Sequence, residues 1–173
     1  MLNACFALAA AVEVGVDAGV AVRALNDFAG IRGRFTLVGR LKGADVIVDY
    51  AHHPTAIRAA IDTARQMTKG ALTVIFQPHT YSRTKALFAE FVSALSTGGV
   101  VIIMREYSAR ETPDKGKSAK DLFDQLVREG VRARYVSTTA EAVQVASRYA
   151  YPGDIILALG AGNLGEEIPN FCQ

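Results

Sequence analysis

Two cysteines, Cys5 and Cys172, are all this chain has, and they stand near opposite ends with no C-x-x-C spacing. That excludes a disulfide scaffold and gives no cysteine zinc site, and it fits a reducing, cytoplasmic setting. Charge of one sign is also missing: 19 basic against 17 acidic residues leave a net +2, too balanced for a polyanion-binding surface, so nucleic acid is not an expected partner. There is no long hydrophobic run. Ala4 to Val12 is apolar but only nine residues long, against the roughly 18 to 20 that span a bilayer. No basic stretch precedes it, so it does not read as a signal peptide, and no membrane partner is expected. Internal repeats and low-complexity segments are absent as well.

What is present is a chain half hydrophobic over 173 residues, enough to bury a real core. The alanine-rich opening to Gly15 and the stretch Asp17 to Phe28 predict two helices, the second capped by Asp17. A chain that opens inside an apolar helix reads as a piece of something larger. The glycine-punctuated, basic link Gly30-Ile-Arg-Gly-Arg34 marks a boundary, dividing a helical segment 1–32 from a domain 33–173.

Beyond the link, strands are predicted at Phe35 to Val38, Asp45 to Asp49, Leu72 to Phe76, Val100 to Met104, Arg134 to Val136 and Asp154 to Leu159. Helices are predicted at Pro54 to Met67, Arg83 to Leu95, Ala119 to Gly130 and Ala140 to Ala150. Continuous β-branched runs such as Val100-Val-Ile-Ile103 indicate strands covered on both faces. The fold class is α/β: a Rossmann-like, doubly wound, mostly parallel sheet preceded by a short helical segment.

Three strands hand over to polar corners, and in such sheets ligands gather at the carboxyl ends of strands. The first is Asp49-Tyr-Ala-His-His-Pro-Thr55, with Pro54 suited to the first position of a helix. Its Asp49, His52 and His53 invite a metal reading, but adjacent histidines tend to point apart and no further cluster completes a zinc set. Hydrogen bonding to a substrate or holding a carboxylate suits them better, with helix capping or core packing the alternative for one of the pair. The second corner, Phe76-Gln-Pro-His-Thr-Tyr-Ser-Arg-Thr-Lys85, offers Gln77, His79, Tyr81, Ser82, Arg83 and Lys85 to a carboxylate or phosphate. Its alternative is an exposed loop in which Ser82 caps the next helix. The third adds Arg105, Glu106, Tyr107, Arg110 and Glu111.

Two familiar motifs are discounted. Gly116-Lys117-Ser118 ends like a P-loop, but Glu111 occupies the place of the required first glycine, and Ser118 reads as a helix cap. Gly160-Ala-Gly-Asn-Leu-Gly165 matches G-x-G-x-x-G, yet no second βαβ strand and no acidic residue about 20 positions on follow it. A glycine corner packing at the sheet's carboxyl edge is expected instead.

Taken in order, Asp49-Tyr-Ala-His-His-Pro-Thr55, Phe76-Gln-Pro-His-Thr-Tyr-Ser-Arg-Thr84 and Gly160-Ala-Gly-Asn163 resemble the C-terminal region of the Mur ligases. Asn3-Ala-Cys-Phe-Ala-Leu-Ala-Ala-Ala is similar to the helix that closes the family's central ATPase domain. The resemblance implies ATP-dependent amide formation through an acyl phosphate, with ATP and Mg2+, and in particular addition of L-alanine to UDP-N-acetylmuramate. It implies that Asn3, Arg34 and Asp49 approach ATP, that His52, His53 and Arg83 face the amino acid and the acyl phosphate, and that Tyr50, His79 and Tyr81 are further substrate contacts. Many members carry arginine where this chain has Thr80, and paired arginines where it has Gly33 and Arg34. The family's UDP-sugar and P-loop domains are not in this sequence, so no turnover is expected of the chain alone. The alternatives are a ligase that recycles murein tripeptide, and a non-catalytic nucleotide- or anion-binding α/β module.

Overall fold

The computed structural model describes residues 2–112 and 116–173. It divides into two compact units, one ending at Ile31 and the other running from Arg32 to Gln173. In the first, α1 (Leu2–Glu13) and α2 (Ala18–Asn26) form a helical hairpin. Gly15 turns the chain at φ +90°, a conformation that favours glycine. Asp17 caps α2 as its position predicts, its Oδ1 accepting from the Val20 N–H at 3.0 Å.

The second unit is built on a six-stranded sheet: β1 (Thr36–Leu41), β2 (Ala44–Asp49), β3 (Leu72–Phe76), β4 (Val100–Met104), β5 (Arg132–Val136) and β6 (Ile155–Leu159). Their spatial order is β1-β2-β6-β3-β4-β5, parallel throughout except for the β1–β2 hairpin. Residues alternate between the two faces with the period of two that a pleated strand imposes. Ile47, Val74, Phe76, Ile103 and Leu157 enter one core. Val48, Ile75, Ile102, Met104 and Ile156 enter the other.

Each face is covered by helices with a matching apolar stripe. On the first lie α3 (Pro54–Met67) through Ile57 and Ile61, α5 (Phe88–Leu95) through Phe91 and Leu95, and α6 (Ala119–Arg128) through Leu122 and Leu126. On the second lie α7 (Thr139–Ala146), the short α8 (Leu164–Glu167) and the 3-10 turn Ile168–Phe171. Among the described residues no helix is long and apolar enough to cross a membrane.

Several boundaries depart from the sequence reading. The first strand runs on from the predicted Phe35 to Val38 as far as Leu41, because the Lys42–Gly43 turn folds it back on β2. The helix predicted from Arg83 to Leu95 is two helices, α4 (Tyr81–Ala86) and α5, broken at Leu87 with φ −114° and ψ 28°. No glycine or proline marks that break in the sequence. α7 ends at Ala146, four residues early, and β5 starts two residues early at Arg132. Ser118 does cap α6, in a reciprocal box with Asp121.

Phe91, 1% exposed and packed on Phe76 at a ring separation of 5.5 Å, is the largest side chain joining α5 to the sheet. Phe91→Ala is expected to cost about 3–5 kcal/mol in denaturant unfolding. Leu37→Ala on the solvent side of β1 should stay within about 0.5 kcal/mol of the parent chain.

Candidate active site

The strand register brings the corners together. Leu159 pairs with both Asp49 and Phe76, and Phe76 pairs with Ile103. The loops after β2, β3, β4 and β6 therefore leave the sheet at one carboxyl edge.

In the first corner the half-buried Asp49 is committed to the backbone. Its Oδ2 accepts from the Phe35 N–H at 2.8 Å and its Oδ1 from the Ala51 N–H at 2.7 Å. Pro54 takes the first position of α3 and His53 the N-cap position, but the His53 side chain makes no capping bond. It is exposed, with Nδ1 3.4 Å from the Thr55 hydroxyl. His52 Nδ1 lies 2.8 Å from the Tyr50 carbonyl oxygen. A carbonyl only accepts, so Nδ1 carries a proton and, in the neutral ring, Nε2 holds the lone pair.

The second corner shows the opposite arrangement. Arg83 Nη1 is 3.2 Å from both the His79 carbonyl oxygen and His79 Nδ1. A guanidinium only donates, so His79 Nδ1 is unprotonated and the ring proton sits on Nε2. Burial, then the Arg83 charge and then His52 hold the His79 pKa below its ordinary value, outweighing an upward pull from Glu111. The two imidazoles, 5.9 Å apart, thus present a hydrogen-bond acceptor and a donor. Tyr81 opens α4, half-buried. Ser82 does not cap it; the Ser82 N–H and hydroxyl both go to the Glu111 carboxylate, whose pKa is lowered chiefly by those bonds. The N-cap position belongs to Thr80, at φ +70° and ψ 142°. A β-branched residue is strained there. Bonds on both sides hold it: its N–H donates to the Tyr107 carbonyl at 3.0 Å, and its own carbonyl accepts the Thr84 hydroxyl at 2.9 Å.

The glycine corner after β6 packs on the second and third. A Cβ on Gly160 would lie 3.0 Å from the Gln77 carbonyl oxygen. On Gly162 it would lie 2.6 Å from Gln77 Oε1 and 2.7 Å from the Tyr107 ring. Gln77, 6% exposed, donates from Nε2 to Asn163 Oδ1 at 3.2 Å. Asn163 in turn donates to Glu167, which also accepts the Thr139 hydroxyl.

A row of rings and cations results. Arg34, exposed, lies 4.8 Å over the Tyr50 ring; Tyr50 meets His52 edge-on at 5.1 Å; beyond His79, Tyr107 stacks at 5.6 Å. Arg34, Tyr50, His52, His79 and Arg83 are therefore gathered, while His53 turns towards Thr55 and Tyr81 stands at the start of α4. Asn3 is an exposed residue of α1, in the other unit. Beside the row lies a cleft of about 760 Å³ lined by residues including Arg32, Gly33, Tyr50, Gly160, Gly162 and Glu166. Among the described residues no group of three His, Cys, Asp or Glu side chains is disposed to hold a metal ion. Tyr107 and Gly162 are central to the packing here. The sequence signal for them was the pairing of a G-x-G turn with an aromatic residue after a neighbouring strand.

Thr80→Gly should relieve about 1–3 kcal/mol of strain and forfeit about 0.5–1 kcal/mol of glycine entropy. A net gain near 1 kcal/mol in urea unfolding is expected; a loss of stability would show that Thr80 is not strained.

Residues 33–162 match the model of the Mur ligase glutamate ligase domain. The chain is 39% identical over 172 residues to the UDP-N-acetylmuramate–L-alanine ligase of Desulforamulus reducens, covering 97% of this chain and 37% of that protein. The enzyme of the same name from Mycobacterium marinum is 42% identical over 174 residues, covering 96% and 35%. The UDP-N-acetylmuramate-alanine ligase structure from Thermotoga maritima superposes with a TM-score of 0.79 at 28% identity, over 98% of this chain and 36% of that one. The chain thus spans little more than a third of the length of these relatives.

Proposed function

Because the chain belongs to the Mur ligase family, we propose that it supplies the C-terminal domain of an ATP-dependent ligase joining L-alanine to UDP-N-acetylmuramate in the cytoplasm. The observation that carries the reading is the gathering of His52, His79 and Arg83 at one sheet edge in a chain about 40% identical to ligases of that name. In the proposed reaction the muramoyl carboxylate forms a bond to the γ-phosphorus of ATP and ADP leaves. The L-alanine amine then forms the C–N bond, the C–O bond to phosphate breaks, and the amine gives up its proton.

At this edge the chain's own residues bind and orient. The Arg83 guanidinium and the His79 Nε2–H are donors suited to a carboxylate or phosphoryl oxygen, and His52 Nε2 is an acceptor suited to an ammonium. The exposed Arg34, held by Tyr50, suits a nucleotide oxygen. Asp49 acts through the backbone it pins, and His53 and Tyr81 act from the margins of the same corners. Asn3 and the helical unit before Arg32 belong in this reading to the central ATPase domain. The described residues do not assemble a Mg2+ site: the Asp49 oxygens already serve two backbone amides, and Glu111 serves Ser82. The Phe76-Gln-Pro-His79 and Ser82-Arg-Thr84 pattern of the second corner resembles that of alanine-adding ligases and not that of tripeptide-recycling ones, which supports L-alanine as the incoming amine.

The 173-residue chain alone should release no phosphate from ATP, UDP-N-acetylmuramate and L-alanine. In a full-length ligase carrying this region, Arg83→Ala should lower kcat/KM for L-alanine by about 10² or more. Unchanged rates in that variant, or a preference for tripeptide over L-alanine, would refute the assignment.

A further inference from the structure

The third corner contributes a side chain whose place in the site is not accounted for by the donors and acceptors above. Tyr107 leaves β4 and pairs with the second corner through its backbone: its N–H donates to the Pro78 carbonyl at 2.9 Å, and its carbonyl accepts from Thr80 at 3.0 Å. Its ring lies nearly parallel to the His79 imidazole, 16° between planes and 5.6 Å between centroids. The ring's Cγ and Cδ2 atoms also crowd Gly162, where a Cβ would come within 2.7 and 2.8 Å. Real Cβ atoms do not approach that closely, so Gly162 is the space the tyrosine needs. Tyr107 is 39% exposed, too open for a core residue, yet its ring is held on two sides.

We propose that Tyr107 is a positioning residue: wedged between Gly162 and His79, it fixes the imidazole so that Arg83 bonds Nδ1 and the Nε2–H remains free to donate. This explains why the G-x-G turn sits where it does. Its glycines admit Gln77 and Tyr107 rather than a dinucleotide. It also gives the strained Thr80 a reason to persist, since the same tyrosine's carbonyl holds the Thr80 N–H. The proposal rests on the ligase reading only for what the donor is used for; the wedge itself is a matter of geometry.

The test is ring-nitrogen NMR of the three histidines in the intact 173-residue chain, followed through a pH titration. Groups facing His79 are Arg83, His52, Glu111 and the Tyr107 phenol, so all variants leave the first three in place. In the parent chain and in Tyr107→Phe, His79 should be the Nε2–H tautomer and titrate below the ordinary histidine value. In Tyr107→Ala the lost stacking exposes the ring: its midpoint should move upward and the tautomers should mix. Gly162→Ala, whose Cβ would press on the Tyr107 ring and on Gln77 Oε1, should give the same signature. It also carries the test if Tyr107→Ala fails to fold. A folded Tyr107→Ala or Gly162→Ala chain with an unchanged His79 tautomer and midpoint would overturn the proposal and leave the ligase reading intact. Conversely, a ligase indifferent to Arg83→Ala would remove that reading and leave the wedge standing.

Discussion

The Asp49 carboxylate holds the rest of the site in place. It takes the amide of Phe35 across a separation of 14 residues and the amide of Ala51 within its own corner. Its backbone carbonyl accepts from Gly160, and the next residue's N–H donates to the Gly33 carbonyl at 2.8 Å. One residue at the end of β2 therefore ties together the basic link, the histidine corner and the glycine turn. Hydrogen bonds to a charged acceptor are worth about 1.5–3 kcal/mol each, against about 1 kcal/mol for neutral ones. An uncharged side chain here would leave Phe35 and Ala51 to find water.

From that anchor the polar row follows by contact. Tyr50, next to the anchor, carries Arg34 on its face and meets His52 at its edge. His52 bonds back to the Tyr50 carbonyl, which sets its tautomer. His79 receives the opposite tautomer from Arg83, and Tyr107 stacks on it from the third corner. Donor and acceptor are thus set by neighbours that can only donate or only accept, with no buried ion pair required.

Much of this was legible in the sequence because it rests on local rules. The runs Leu72 to Phe76 and Val100 to Met104 could only be strands buried on both faces, and Pro54 fixed the start of α3. Asp17 and Ser118 announced their caps. Less legible was whatever depends on neighbours remote in sequence. The break at Leu87 carries no glycine or proline, and Ser82 looked like a cap until Glu111, 29 residues away, took both its donors. Nothing local shows that Phe35 and Ala51 use the two Asp49 oxygens. The two histidines looked alike in the sequence; His52 joins the row and His53 does not, since adjacent residues entering a helix diverge.

Amide hydrogen exchange on Asp49→Ala tests the anchoring role most directly. If this carboxylate organises the edge, the Phe35 and Ala51 amides lose their protection together, while the amides pairing β3 with β4 keep theirs. Unchanged protection at Phe35 and Ala51 in the variant would contradict it, and the corner would then have to be held by something other than Asp49.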